Sequence, residues 1–534
     1  MPKQALISVL LLFSICSFVA FSQHSIPVEE GEFWYGGAVN EGDKMPMKEG
    51  YSNSLINFIQ GNQAAPLLIS SKGRYIWSDA PFAWKLQEGK LIITENKSPI
   101  DLQKGGNNLK GAYRTASKKY FPTMGKMPDT TLFIAPQYNT WIELIYNQNQ
   151  EDILKYARSI VNNNYPPGVL MIDDNWAPYY GKFEFRKDRF PDAKAMVDEL
   201  HALGFKVMLW VCPFISPDTE VFRELHKDSL LLMSNEGKAE MKRREAQDPA
   251  LINWWNGYSA VLDFSNPRAA LWFDKQLESV VKRYGIDGFK LDAGDPEFYA
   301  GNTVSYVKGT APNEHCELFG MFGLKYPLNE YRAMWKRGGQ PLAERLRDKF
   351  HTWEDLRKLI PHITISGLLG YAFTCPDMIG GGDYSSFIDG KSLDQELIVR
   401  SAQCHALMPM MQFSVAPWRI LDSKHHEAVK KAVALRQTLI PELMLWVRNA
   451  AETGEPIVRS MEYEFPGQGF EACQDQFMLG NRILVAPMLV KATQRAVKFP
   501  TGVWLGSDGK KYKGSSQQVF NVPIDTLLWF RKIK

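Results

Sequence analysis

Cysteine is scarce in this chain, at 6 of 534 residues. Beyond an apolar N-terminal segment only Cys212, Cys316, Cys375, Cys404 and Cys473 remain. They are scattered, with no CxxC pair and no Cys/His cluster, which excludes a disulfide framework and argues against a structural zinc site. Excess charge of one sign is also lacking: 62 basic and 59 acidic residues leave a net +3. No dense Lys/Arg run and no nucleic-acid motif occurs, so a polyanionic partner is set aside. Past the N-terminus no stretch approaches the ~18 consecutive apolar residues of a membrane span. No fixed-period repeat and no low-complexity tract is present, which argues against solenoids and disordered tracts.

What is present begins with a processing signal. Lys3 supplies a positive n-region, Ala5 to Phe21 an apolar h-region, and Ala20-Phe21-Ser22 a small-x-small cleavage site, so residues 1–22 are expected to be removed on export to the periplasm or the exterior. Cys16 raises lipid modification, but Ile15 precedes it where lipobox chemistry wants a small residue, and simple export is the better reading. The full chain, with 45% apolar and 23% charged residues, has an ordinary globular composition and is too long for a single core. The 15 Trp and 21 Tyr suit sugar-stacking clefts and large cores alike.

The rhythm of the chain changes twice. From residue 23 to 126 short alternating runs such as Leu67-Leu68-Ile69-Ser70 and Leu91-Ile92-Ile93-Thr94, separated by Glu88-Gly89 and Gly105-Gly106, predict an all-β sandwich. From 127 to 424 strands alternate with helices. Strands are predicted at Thr131 to Ile134, Gly168 to Asp173 and Phe205 to Val211, and helices at Glu151 to Asn162, Ala193 to Leu203 and Pro267 to Tyr284. Strands spaced by helices mean parallel βαβ units, here enough for one (β/α)8 barrel. From 425 to 534 a helical connection (His425 to Thr453) leads to short strands around Met478 to Pro487 and Thr501 to Trp504, a second β-sandwich.

The most informative stretch is Gly285 to Asp295, an apolar run carrying Lys290 and delivering Asp292 into a glycine-broken turn. Barrel chemistry is done at the C-terminal ends of the strands. A carboxylate there, with a cation two residues earlier, is arranged to stay ionised and act as a nucleophile, although a helix-capping Asp fits the same residues. Other predicted strands also end in polar clusters. Asp173-Asp174-Asn175-Trp176 offers hydroxyl-binding groups beside an aromatic wall, or a capping loop. Trp210 closes another strand, as a wall or as core. Asp377 precedes Gly380-Gly381-Gly382, as a ligand-binding or a turn-forming residue. Retaining cleavage of a glycosidic bond needs a second carboxyl about 5–5.5 Å from the first. Glu344, Asp348, Glu354 and Asp355 are all eligible.

These motifs resemble glycoside hydrolase family 31. Gly288-Phe289-Lys290-Leu291-Asp292 matches its nucleophile pattern, Asp348 stands 5 residues before Trp353 as its acid/base does, and Arg332 lies 16 residues before that acid where the family binds substrate. Gly367 to Asp377, Phe190-Pro191-Asp192 with Gly204 to Val207, Trp255 with Leu262 to Pro267, and Asp475 to Pro487 are similar to further family motifs in the same order. Arg347-Asp348, Asp295 and Cys375-Pro376-Asp377 depart from its commoner wording, while Leu368-Leu369-Gly370-Tyr371 and Pro376-Asp377-Met378-Ile379-Gly380-Gly381 look closer to the branch containing the myogenesis-regulating glycosidase, associated with α-galactosides.

The resemblance implies a retaining exo-α-glycosidase that removes a terminal α-linked hexose, galactoside slightly favoured over glucoside. Asp292 would be the nucleophile and Asp348 the acid/base, kept protonated by a poorly solvated setting. Lys290 would hold Asp292 ionised. Asp173, Asp174, Asn175, Arg332 and Asp377 would hydrogen-bond the sugar, and Trp176, Trp210 and Trp255 would wall it in. No metal and no cofactor is required, and the partner is a carbohydrate, not nucleic acid. The same site could run transglycosylation or a lyase reaction, and a non-catalytic sugar-binding barrel would be expected to lack one of the carboxylates.

Overall fold

The computed structural model describes residues 24–57, 61–235, 248–388 and 393–534. The expected export signal, with Cys16 and Ser22, lies outside the described residues. Among them no helix is long and apolar enough to cross a membrane. The five cysteines from Cys212 onward are free thiols.

The centre of the molecule is a barrel of eight parallel strands. In chain order these strands and their helices are β1 (Gln137–Asn139), α1 (Gln150–Asn162), β2 (Val169–Ile172), α2 (Ala193–Ala202), β3 (Lys206–Val211), α3 (Pro267–Tyr284), β4 (Gly288–Leu291), α4 (Pro312–Phe322), β5 (Asn329–Tyr331), β6 (Glu344–Arg345), α5 (Trp353–Leu368), β7 (Thr374–Cys375), α6 (Gln395–Ala406) and β8 (Gln412–Phe413). Neighbours pair in this order and β8 pairs back onto β1. Closure between β7 and β8 rests on a single parallel bridge, Met378 to Gln412, where Ile379 N–H donates to the Gln412 carbonyl at 2.8 Å.

Local sequence explains how β4 is aimed. The Asn266 side chain accepts from Arg268 N–H at the start of α3, a proline occupies the first turn, and Gly285 ends the helix in the left-handed region at φ 83°. The chain then re-enters the sheet at Gly288, whose Cβ, if it had one, would lie 2.0 Å from the Leu328 carbonyl oxygen. Burial on both faces makes these strands continuous apolar runs, as in Val169–Ile172.

Two antiparallel sheets form the N-terminal domain, His24–Pro27, Lys90–Asn96, Phe82–Gln87 and Ser52–Ser54 in one, and Gln63–Ser70, Arg74–Trp77, Asp101–Lys104 and Trp34–Ala38 in the other. They face each other where Trp84 of the first crowds Gly37 of the second. The second sheet takes an extra strand from the barrel: Met334–Trp335, in the loop joining β5 to β6, pairs in parallel with Gln63 and Ala64. After α7 (Ser423–Thr453) the C-terminal domain forms a six-stranded antiparallel sheet and a separate hairpin, Gln494–Phe499 with Ser516–Asn521, around its own core of Phe499, Trp504 and Phe530.

Two expectations fail locally. The N-terminal region is not all β, because Leu109–Tyr120 is a helix, capped by Asn108 and buried through Leu109, Ala112, Tyr113 and Ala116. That spacing is helical, and the alternation around it hid it. Thr131–Ile134 is one helical turn, not a strand; the Asp129 carboxylate accepts from Thr131 N–H and caps it, and the first barrel strand is β1. A four-residue apolar run cannot by itself distinguish the two.

Candidate active site

At the C-terminal ends of the barrel strands lies a cavity of about 690 Å³ whose lining includes Asp173, Asp174, Trp210, Trp255, Lys290, Asp292, Arg332 and Asp348. Register places Trp210 of β3 beside Lys290 of β4, so Asp292 emerges next to the indole. Trp210 Nε1 donates to Asp292 Oδ2 at 2.7 Å, and Ala293 N–H to Oδ1 at 2.9 Å. Burial alone would raise the Asp292 carboxyl. Lys290, Arg332, Arg345 and the indole hydrogen bond outweigh it and hold the group below the ordinary carboxylate value. Asp292 is therefore an ionised carboxylate with both oxygens oriented, as a nucleophile requires.

Lys290 acts less directly than expected. Its ammonium is 2.7 Å from Asp173 Oδ2, so its bonded partner is Asp173, and it reaches Asp292 through its charge. Asp173 is fixed in turn by Thr140, whose hydroxyl accepts from Asp173 N–H at 3.0 Å. Asp174 accepts from the Tyr180 hydroxyl and from the Asn256 amide through Oδ2, while its buried Oδ1 has no partner. Burial, then the charges of Asp173 and Asp292, push its carboxyl up to about 7.

Arg345, at the end of β6, is the hub on the opposite wall. One Nη bonds Asp348 and lies 3.0 Å from Asp377 Oδ1, and the guanidinium also reaches Glu330 at 3.5 Å. Asp348 keeps 39% of its side chain exposed. Crowding by protein would raise its carboxyl, but Arg345, then Arg332 and Lys290, hold it well below the usual carboxylate range. This corrects the expectation that Asp348 is kept protonated by a poorly solvated setting. The proton sits on its neighbour instead: burial and the charge of Asp348 raise Asp377 to about 7 against Arg345 and Lys349. Of the two carboxyls, Asp377 is thus the one that holds a proton below about pH 7. Gly382 makes room for them, since a Cβ there would lie 2.8 Å from an oxygen of each.

A hairpin, Ile252–Trp254 with Gly257–Val261, brings Trp255 to the mouth of the cavity. Arg332 lies over the Trp255 ring at 5.0 Å, and its Nε donates to Asp295 Oδ2 at 2.9 Å. The N-terminal domain secures this wall: Asn62 N–H donates to Asp295 Oδ1, and the Asn62 and Gln63 side-chain amides donate to the Arg332 and Arg345 carbonyls.

Three of the expected sugar-contacting residues do not line this cavity. Asn175 turns away, its amide donating to the Tyr146 carbonyl at 2.6 Å. Trp176 is buried against Phe185 with its indole donating to the Trp210 carbonyl; both border an adjoining apolar pocket of about 260 Å³. Asp377 is fully buried and accepts from Lys349 and Gly382 N–H, so it organises the loop and Arg345. Among the alternative acids, Glu344 is buried against Gln63 outside the cavity, whereas Asp355 is at its edge.

Several lining residues escaped the sequence reading. Arg345 was detectable as a charged pair with Glu344 inside the apolar run Leu342 to Leu346. Asp43 of the N-terminal domain and His362 of α5, 3.1 Å apart, carried no signal. Burial, with the positive charge of Lys349, lowers His362 to about 4. Among the described residues no group of His, Cys, Asp and Glu is arranged to hold a metal ion.

The sequence profile of the glycosyl hydrolases family 31 TIM-barrel domain matches residues 136–444, and that of the family's C-terminal domain residues 454–532. The chain is 31% identical over 434 residues to the mouse myogenesis-regulating glycosidase, covering 79% of this chain and 59% of that protein. It is 25% identical to alpha-glucosidase 2 of Bacillus thermoamyloliquefaciens, covering 72% and 51%. It thus spans between half and three-fifths of the length of these relatives. In fold it is similar to a Flavobacterium johnsoniae GH31 dextranase complexed with glucose (TM-score 0.82, 19% identity, 96% of this chain and 66% of that one). It is also similar to a soil-metagenome GH31 alpha-xylosidase complexed with xylose (TM-score 0.80, 19% identity, 96% and 79%).

Proposed function

Because the chain belongs to glycoside hydrolase family 31, we propose that it is a retaining exo-α-glycosidase releasing a terminal α-linked hexose, with α-galactosides favoured over α-glucosides. The observation that carries this reading is the oriented, ionised Asp292 in one cavity with the half-exposed Asp348. Asp292 attacks the anomeric carbon, the bond to the leaving oxygen breaks, and that oxygen takes a proton from Asp348. Water then attacks the glycosyl-enzyme while Asp348 accepts its proton. In the free protein Asp348 is already in the form the second step needs. The first step needs Asp348 in its protonated form, and the exposed side of its carboxyl can take that proton up from solvent. Asp173, Asp174 and Arg332 bind sugar hydroxyls, with Trp255 as the apolar face. The preference for galactose rests on the likeness to the myogenesis-regulating glycosidase branch. Export is part of the reading, supported by the apolar segment behind Lys3.

The test is a panel of nitrophenyl α-galactoside, α-glucoside and α-xyloside with purified protein, following the first-formed anomer by proton NMR. Release of the α-anomer first is expected. The β-anomer first would sink retention, and no turnover on any of the three would favour a sugar-binding barrel.

A further inference from the structure

Asn256 occupies the second place of the two-residue turn Trp255–Asn256, between the paired residues Trp254 and Gly257. Asparagine in such a turn is ordinarily explained by its tolerance of positive φ. Here the positive φ falls on Gly257, at 100°, and Asn256 is not among the residues with positive φ. The backbone does not demand Asn, and the side chain is fully used. Its Nδ2 donates to Asp174 Oδ2 at 2.7 Å and lies 2.8 Å from the Tyr180 hydroxyl, while its Oδ1 accepts from the Tyr146 hydroxyl at 2.7 Å. The base of the hairpin is held rigid, with Trp254 edge-on to Tyr180 at 4.8 Å and packed on Phe214 at 4.3 Å.

One turn therefore joins segments from three parts of the barrel top. Asp174 is the beneficiary: Oδ2 receives two donors, from Asn256 and from Tyr180 at 3.0 Å, and Oδ1 receives none from the protein. We propose that Asn256 is a positioning residue that locks Asp174 through Oδ2 and so reserves Oδ1 as the acceptor for one hydroxyl of the bound sugar. The inference rests on the glycosidase reading for the identity of the ligand. Asp174 needs such help because Asp173 and Asp292 crowd it with like charge, and burial with those charges raises its carboxyl to about 7. A donor to Oδ2 favours the charged, accepting form; without it the group takes up a proton at higher pH.

The test compares wild type with Asn256→Ala, Asn256→Asp and Tyr146→Phe, the last removing only the hydroxyl that orients the amide. Galactose and glucose binding by calorimetry, and kcat and KM against pH on the best nitrophenyl glycoside, are read with thermal melting as the control. Asn256→Ala should weaken sugar binding and raise KM roughly tenfold, with kcat changed less, and move the acidic limb of 1/KM to higher pH. Asn256→Asp, which adds a negative charge in place of the donor, should do so more strongly, and Tyr146→Phe less. Unchanged melting with binding, KM and pH profile all within twofold of wild type overturns the proposal and leaves the glycosidase reading standing. Sugar binding without turnover in wild type, weakened by the variants, upholds the proposal and removes the glycosidase reading.

Discussion

Replacing Trp210 with Phe isolates one hydrogen bond at the reacting centre. The indole donates to Asp292 Oδ2 at 2.7 Å, and the other oxygen keeps its bond to Ala293 N–H. Trp176 donates to the Trp210 backbone carbonyl, so that contact survives the substitution. Phenylalanine keeps most of the buried surface, and the stability cost should stay below the ~3–5 kcal/mol typical of truncating a buried Trp to Ala. A hydrogen bond to a charged group is worth about 1.5–3 kcal/mol, so kcat/KM at its plateau should fall roughly 10- to 100-fold. The pH profile carries the sharper signal. The indole stabilises the ionised carboxyl, so its loss raises the pKa of Asp292, and a nucleophile must be ionised. The acidic limb of kcat/KM therefore moves upward, by about one pH unit or more. Activity lost at low pH should be partly recovered at higher pH, and the melting temperature should account for none of it. An acidic limb in the wild-type position would refute the argument that Trp210 holds Asp292 in its reactive form.

Asp348→Ala should lose turnover, and external azide should partly restore it on a substrate with a good leaving group; failure of rescue would make Asp355, at the edge of the same cavity, the better acid. Asp377→Asn removes the carboxyl that titrates near 7, so an alkaline decline of kcat/KM setting in near that pH should vanish in the variant. Its persistence would assign the decline elsewhere. Gly382→Ala forces a Cβ to within 2.8 Å of Asp348 Oδ1 and Asp377 Oδ1, and kcat/KM should drop by at least tenfold with little change in melting, because the loop moves rather than the core. Wild-type kinetics in that variant would show that the two carboxyls have slack the distances deny.

The barrel was legible because its signals are periodic and local. The apolar run into Asp292 and the capped helix Pro267–Tyr284 lie where the sequence places them. The site was legible at strand ends and much less so elsewhere. Asp292, Trp210 and Lys290 follow from their places at the ends of apolar strands, but position along a strand does not show that Lys290 pairs with Asp173, because their register is set across the barrel. Asn175 and Trp176 were read by proximity to Asp174, and a positive φ at Asn175, 76°, turns the chain away from the cavity just there. The charge state of Asp348 was out of reach of the sequence, since it depends on Arg345 and Arg332 arriving from two other places in the fold. Asn256 carries no sequence signal for the same reason, since Tyr146, Asp174 and Tyr180 meet it only in the fold.

The strand Met334–Trp335, donated by the barrel to the N-terminal sheet, bears on synthesis in the cell. The amides of Asn62 and Gln63 wait for carbonyl partners about 270 residues further along the chain. At about 5–20 residues per second, a ribosome delivers those partners on the order of half a minute later. Until then the Gln63–Ser70 strand has an open edge beside Gln63 and Ala64, of the kind that recruits other chains. A fragment ending at residue 126 should show fast amide exchange along that edge and a tendency to self-associate. Full protection in the fragment would mean that the sheet closes without the barrel.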